Sequence, residues 1–354
     1  MPDTRPGLYF NSDGVCQACE RAEAGKKINW HKRWAELETL ADKHRGRVKG
    51  YYDCLIPVSG GKDSYFATFI AKQKLGLTPL TCNVDNFSWT AVGRQNLENL
   101  SEAFGVDVLR MSLNRSLGKR MTRAAFERLG SPFWYWDRTV YTWPLQIASH
   151  LNIPLVIYGE NISWTYGGRD AEDIPSAKKQ VDNACVIPVT IESWSKMIGA
   201  KQVDFVPCQL LFKSTLLDVE PVYLSYFVPW SGFQNFELAK RFGFKPLSTK
   251  RRGFIEDYDQ IDSWGYLVHP WLKWFKFGHA RVTDIASVWV REGRMTREQA
   301  VRAVKSREGE LDKRILEDFL SWTEYTREEF WQITNKWKNP TIWAEGKNPT
   351  DGLK

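Results

Sequence analysis

Between residues 52 and 158 the chain alternates between two rhythms of apolar and polar positions. Four short apolar runs, Tyr52–Val58, Pro79–Val84, Asp107–Met111 and Pro154–Tyr158, have the length and continuity of strands, the first that of a buried parallel strand. The stretches between them carry the longer period of amphipathic helices. These cover 63–74, Ala91–Phe104, 116–129 and 139–150, and another at 30–45 precedes the first strand. In the first of them Tyr65, Phe66, Phe69 and Ile70 form one broad apolar face. Such alternation predicts an α/β fold built on a doubly wound, mostly parallel sheet. After about residue 165 the rhythm breaks. Gly167-Gly168 predicts a turn, 171–220 is mixed, and 234–243 and 285–337 return to helical periodicity. TREQ (Thr296 to Gln299) and TREE (Thr326 to Glu329) both have capping-box spacing. The expected organisation is an N-terminal cysteine-containing segment with a helix (1–48), an α/β domain (49–220) and a mainly helical C-terminal region (221–354).

Ligands of doubly wound sheets bind beyond the carboxyl ends of the strands. Three polar clusters fall there: Ser59–Ser64, Asn83–Asp85 and Gly159-Glu160-Asn161. The first closes the run VSGGKDS. It is not a Walker A loop, because Ile56 stands where the first glycine belongs and Asp63 follows Gly61-Lys62. The dinucleotide pattern G-x-G-x-x-G is also absent. The context still suits phosphate: glycines at a strand-to-helix turn permit close backbone approach, and the first helix amides favour an anion. Asp63 and Ser64 either cap those amides or hold phosphate and Mg²⁺, and Lys62 reaches either phosphate or solvent. Asp85 is a turn former or a ligand contact, and Glu160 is placed to bind Mg²⁺ or orient a substrate.

Composition narrows the class. With 43% apolar residues and mean hydropathy −0.44, the 354 residues suit one large or two modest globular units. No apolar run approaches a membrane span, and MPDTRPGLYFNSDG lacks a signal-peptide core, so a cytoplasmic location is expected. Net charge +7 and pI 9.0 suit an anionic partner, but the basic residues are spread along the chain and form no tail that would demand nucleic acid. Of 17 tryptophans nine follow residue 229, each either core or a stacking surface for a sugar or base. Lys276, Arg281 and Asp284 flank Gly278 before a helix, and the two cations suit phosphate or carboxylate. Lys250-Arg251-Arg252 is a second basic knot, either a solvated loop or a ligand clamp.

Six scattered cysteines make no disulfide scaffold. Cys16 and Cys19 form a single C-x₂-C, half of a zinc site. Cys54 and Cys82 lie within strands as core thiols, which leaves Cys185, Cys208 and the histidines as further donors.

Ser59-Gly60-Gly61-Lys62-Asp63-Ser64 matches the whole SGGxDS signature, and here the chain resembles the PP-loop ATP pyrophosphatase superfamily. The resemblance implies the adenine-nucleotide alpha-hydrolase-like core, with ATP phosphates and Mg²⁺ held by Ser59 to Ser64 and with Asp85 and Gly159 on the nucleotide. Further segments resemble the N-acetyl sugar amidotransferases of lipopolysaccharide and flagellar sugar biosynthesis. They are PDTRPGLYFN (Pro2 to Asn11) with Cys16 and Cys19, YGEN (Tyr158 to Asn161), YDQID (Tyr258 to Asp262), His269 to Ser287 and REGRMTRE (Arg291 to Glu298). The matching segments end near residue 304, and the tail with Trp331, Trp337 and Trp343 has no place in that pattern. The family usually carries a first C-x₂-C just before the PDTRP run. This chain begins at Met1-Pro2, so the zinc site implied at Cys16 and Cys19 is incomplete.

The resemblance implies an ATP-dependent, AMP-forming amidotransferase. It would adenylate the acetamido oxygen of a UDP-linked N-acetyl sugar, a uronate by expectation, and replace that oxygen with ammonia to give an acetamidino group for a surface glycan such as O-antigen. Lys62, Asp63 and Glu160 are implied as catalytic, and Glu160, Asn161, Lys276, Arg281 and Asp284 as substrate-binding. None of the cysteines sits in a glutaminase-like context, so ammonia is expected from a separate glutaminase with a cyclase-like barrel subunit. The alternative is a PP-loop tRNA-modifying enzyme of the thiolation or lysidine type, and a third is a nucleotide sensor without turnover.

Overall fold

A computed structural model of the chain describes residues 1–168, 172–179, 187–209 and 219–343. Five parallel strands form one sheet: β1 (Cys54–Pro57), β2 (Pro79–Asp85), β3 (Val108–Ser112), β4 (Leu155–Tyr158) and β5 (Glu220–Tyr223), in the order β3-β2-β1-β4-β5. The order reverses between β1 and β4, where Leu55 lies beside Val156. Side chains alternate across the sheet, as its pleat requires. Cys54, Ile56, Leu155 and Ile157 face one core with Tyr65 and Leu97, while Leu55, Leu80 and Val156 face another with Leu145 and Ala148. The helices lie on both faces: α1 (Gln17–Gly25), α2 (Trp30–His44), α3 (Lys62–Phe69), α4 (Ala91–Phe104), α5 (Arg115–Leu129), α6 (Trp134–His150), α7 (Ile162–Tyr166), α8 (Ile191–Ile198), α9 (Leu224–Phe227) and α10 (Gly232–Arg241). The fold is therefore the doubly wound α/β class predicted from the pattern. The helix expected over 63–74 is continuous, but its last five residues, Ile70–Lys74, widen into a π turn.

β5 carries no periodic signal, being four residues long and containing Pro221. Proline is tolerated there because β5 is the last strand of the sheet, paired with β4 on one side and, among the described residues, by an isolated antiparallel bridge from Ser176 to Val222 on the other. The boundary expected at 220/221 falls inside this strand. Val222, Leu224, Phe236, Tyr258 and Ile261 share one core with Ile56 and Leu97, so residues beyond 220 help close the sheet's face.

Five further helices follow: α11 (Val268–Phe277), α12 (Arg281–Arg291), α13 (Arg297–Arg307), α14 (Lys313–Thr323) and α15 (Arg327–Lys336). Both capping boxes form, Thr296 with Gln299 and Thr326 with Glu329. The described tail beyond residue 305 contributes buried side chains to the core. Phe319 of α14 and Phe330 of α15 pack on Phe126 of α5 with ring centroids 5.4 and 5.6 Å apart, and both share a buried cluster with Trp271 and Phe275 of α11. Each such ring contributes roughly 2–3 kcal/mol through area removed from water. This aromatic layer fixes α11, which lines the cleft described next.

Candidate active site

The site opens where the strand order reverses, the place a doubly wound sheet reserves for ligands. After β1 the chain turns sharply at Gly60, whose φ is +79°. A Cβ there would lie 2.8 Å from the Leu97 backbone nitrogen, so the loop presses on α4 in a way only glycine allows. The Ser59 amide donates to Ser64 Oγ at 2.9 Å and the Gly61 amide donates to Ser59 Oγ at 3.2 Å. Gly61 is the N-cap of α3 and supplies no side-chain cap, which leaves the helix start available to an anion.

Lys62 turns inward. Its ammonium donates to Asp63 Oδ2 at 2.7 Å and to Asp259 Oδ1 at 2.8 Å. Burial works against that charge, but Asp63 beside it, with Glu160 and Tyr166, holds the pKa above its ordinary value. Asp259 Oδ2 accepts from Arg281, which also hydrogen-bonds Tyr166. Asp63 Oδ1 accepts from Asn235 Nδ2 at 2.7 Å. Asp259 is held by a buried brace: its amide donates to Glu256 Oε2 at 2.8 Å, and Arg251 donates to its carbonyl at 2.8 Å. Arg251 also pairs with Glu256 at 3.3 Å and lies over the Phe254 ring at 3.8 Å. The basic knot at 250–252 thus contributes neither a solvated loop nor a ligand clamp at Arg251, but the support of an acidic residue in the cleft.

A second charged group sits farther along. Asp284 pairs with Lys273 and with Arg5, the latter at 3.2 Å. Burial alone would raise its carboxyl, yet Lys273, Arg5 and Arg281 hold it down at about 2. These groups line one cleft of 630 Å³ that runs from Ser59, Gly61, Lys62 and Asp63 past Glu160 and Tyr166 to Lys273 and Lys276. Burial, then the Asp63 charge, raises the Glu160 carboxyl. Lys276 donates to the Gly130 carbonyl at 2.7 Å, and burial followed by Lys273 lowers it to about 8.

The remaining candidates lie differently. Gly159 backs onto Trp230, where a Cβ would come within 2.9 Å, and lines a smaller hollow with Asp63, Ser64 and Glu160. Asn161 caps α7, its side-chain oxygen accepting from the Trp164 amide at 3.2 Å. Asp85 accepts from Ser112 Oγ at 2.7 Å and from the Trp89 indole, outside the cleft lining. Cys16 and Cys19 stand with sulfurs 3.5 Å apart. Among the described residues no group of three or more His, Cys, Asp or Glu gathers that could hold a metal, so the described residues give the pair no further zinc ligands. Cys54 and Cys82 are core thiols, Cys208 is buried in a separate cluster, and Cys185 lies outside the described residues.

Comparison with known proteins bears on the half of the cleft built after β4. Residues 222–353 match the family described as LPS biosynthesis protein WbpG-like, C-terminal domain. The C-terminal part of this chain is similar to that family's C-terminal domain. The match takes in the tail beyond residue 305, which the recognised segments had left out, and the aromatic layer of α14 and α15 accounts for its place. The WbpG-like part supplies Asp259, Lys273, Lys276, Arg281 and Asp284, facing the glycine loop across the cleft. An uncharacterized protein of Methanocaldococcus jannaschii is 30% identical over 134 residues, 38% of this chain, and the chain spans about half (47%) of that relative's length. Two solved structures align at low similarity. An NMN synthetase from Francisella tularensis is 13% identical over 86% of this chain and 96% of its own, with TM-score 0.35. A predicted subunit of tRNA methyltransferase from Methanocaldococcus jannaschii is 14% identical over 53% of this chain and 75% of its own, with TM-score 0.29.

Sequence reasoning missed Asp259, Tyr166, Asn235, Lys273 and Arg5 as site residues. Asp259 and Arg5 fall in YDQID and PDTRP, segments singled out by resemblance, but nothing local says that either side chain reaches the cleft.

Proposed function

We propose that the chain is an ATP-utilising enzyme of sugar biosynthesis, and that its reaction converts the acetamido group of a UDP-linked N-acetyl sugar into an acetamidino group with release of AMP and pyrophosphate. The observation that carries this reading is the Lys62–Asp259–Arg281 chain, which joins the phosphate-type loop to the WbpG-like part on a single cleft. Residues present fit an anionic nucleotide. Arg281 Nε is buried and finds no partner among the described residues, and the cradle at Gly60 is one a Cβ would fill. Asp63 and Glu160 share the cleft and would hold a divalent cation such as Mg²⁺, which would offset the burial and the Asp63 charge that together raise the Glu160 carboxyl. Bound Mg²⁺ would neutralise charge that builds up as pyrophosphate leaves.

The chain's own residues do the rest. Ser59, Gly61 and the start of α3 hold the phosphates of ATP. Lys62 neutralises charge beside them while Asp63 and Asp259 fix its position. Lys273, Lys276 and Arg281 receive the anionic groups of the sugar nucleotide. In this arrangement the acetamido oxygen attacks the α-phosphorus, and the oxygen of a poor electrophile becomes part of a phosphate leaving group. Catalysis is mainly positioning and electrostatic stabilisation. The absence of a glutaminase-like cysteine context supports ammonia from separate glutaminase and barrel subunits.

The test is pyrophosphate release with Mg-ATP and ¹⁵N-ammonium, in the presence of UDP-N-acetyl sugars and uronates or of bulk tRNA. Label on a UDP-sugar together with pyrophosphate is the expected result. Release triggered by tRNA alone would keep the ATP site and overturn the substrate class.

A further inference from the structure

The far wall of the cleft holds a carboxylate that the proposed adenylation does not use. Asp137 lies in the first turn of α6, is 8% exposed and lines the cleft. Tyr266 donates its hydroxyl to Asp137 Oδ1 at 3.0 Å. Aromatic rings surround that hydroxyl's own ring: Trp136 at 5.0 Å, Phe133 at 5.1 Å and the His269 imidazole at 5.9 Å between centroids. Tyr141, one turn on from Asp137, lines the same wall.

The other ionisable groups on that wall offer Asp137 no counter-charge. Lys276 is committed to the Gly130 carbonyl and Lys273 to Asp284. His269, beside Ser131 Oγ at 3.5 Å, is held neutral by burial, which lowers it to about 3. Asp262, the remaining carboxylate there, adds negative charge and is itself raised by burial to about 6. Among the described residues no salt bridge reaches Asp137, and burial raises its carboxyl to about 7, with the Tyr266 hydrogen bond opposing. A buried carboxylate with no salt bridge among the described residues, held by one tyrosine hydroxyl and open to a cleft, is complementary to a small cation that can give up a proton.

We propose that Asp137, oriented by Tyr266, binds ammonium in this wall and takes from it the proton that frees its lone pair for attack. The inference rests on the reaction under Proposed function. Ammonium gives one proton to the Asp137 carboxylate and becomes ammonia. The ammonia lone pair forms the C–N bond at the adenylated acetamido carbon, and the C=N π pair moves onto the imidate nitrogen. A proton passes from the new N–H₃⁺ group to that nitrogen. The C–O bond to AMP then breaks, its electron pair leaving on the phosphate oxygen, and Asp137 releases its proton to water as products depart. Asp137 is on this account a catalytic residue, and Tyr266 a positioning residue.

The test separates the two half-reactions. ATP–pyrophosphate exchange with UDP-N-acetyl sugars and no ammonium reports adenylation, and amidine formation against ammonium chloride concentration and pH reports the second step. Asp137→Asn is expected to keep exchange and to lose amidine formation by about 100-fold or more, the usual contribution of a positioned base. Tyr266→Phe removes the hydrogen bond that opposes protonation, so the pH inflection of amidine formation moves upward while exchange is unchanged. Unchanged ammonium kcat/KM and pH profile in Asp137→Asn overturns the inference alone. Loss of exchange in both variants also overturns it, by placing the pair in adenylation or in the fold. If the wild-type chain shows no exchange with any sugar nucleotide, the reaction itself falls and this inference with it.

Discussion

The two ends of the cleft solve the burial of charge in opposite ways. At the loop end charges are paired in series: Asp63 with Lys62, Lys62 with Asp259, Asp259 with Arg281. At the far end buried Asp137 and partly buried His269 and Lys276 have no salt-bridge partner among the described residues, and burial first of all moves them to about 7, about 3 and about 8. Asp137 and Asp284 make the contrast within one residue type. Both are buried in the same cleft, yet Asp284 sits at about 2 because three cations surround it. The lesson is that burial does not decide a carboxylate's charge; a cation within reach does. One end is thereby suited to hold polyanions and the other to move protons near neutral pH.

The contrast can be broken from the loop end first. Arg251→Ala leaves Glu256 buried and unpaired and removes the brace on Asp259, so a loss of about 3–5 kcal/mol in urea unfolding is expected. Next in size, Asp63→Ala should lower pyrophosphate release by roughly 10²–10³-fold, the cost of one transition-state electrostatic contact, with little change in melting temperature.

Stability against pH sharpens the comparison, because the two carboxylates give opposite slopes. The Asp284 carboxyl lies below its unfolded value, so its contribution is complete above about pH 4 and is lost as pH falls toward 2, about 2 kcal/mol at about 1.4 kcal/mol per unit. Asp137 lies above its unfolded value, so the folded chain binds that proton more tightly and stability falls as pH rises from about 4 to about 7. Asp284→Asn should flatten the acid limb and Asp137→Asn the neutral limb, which urea titrations on either side of each window would separate. Smallest of all, Thr296→Ala removes a cap distant from both ends and should cost about 1 kcal/mol without altering pyrophosphate release.

Much of this was legible in the chain. β1, β2, β3 and β4 lie within a residue or two of the apolar runs so identified; β1, β2 and β4 are buried, whereas β3 stands at the sheet edge with Leu109 and Arg110 exposed. β5 was not legible, since Glu220-Pro221-Val222-Tyr223 has no period and gains strand status from β4 beside it. α11 was missed because HPWLKWFKF is apolar nearly all round, the pattern of a helix packed on several sides. The glycine loop was legible because its function constrains consecutive residues. Asp259, Arg5 and Lys273 were not, because each acts through partners distant in the chain, as Lys62 with Asp259 and Arg5 with Asp284 show.

By itself the sequence determined the α/β alternation, the strand-to-helix turn at Ser59–Ser64 and the helix starts at Thr296 and Thr326. Each of these depends on contacts between near neighbours, and short-range spacing records them. Only the tertiary structure decided which charges are paired and which are left alone. That depends on which side chains meet after burial: Arg5 from the first residues reaches Asp284, whereas among the described residues Asp137 accepts from a tyrosine hydroxyl and meets no cation. Electrostatics in a low-dielectric interior is governed by distance in space, and distance along the chain does not encode it.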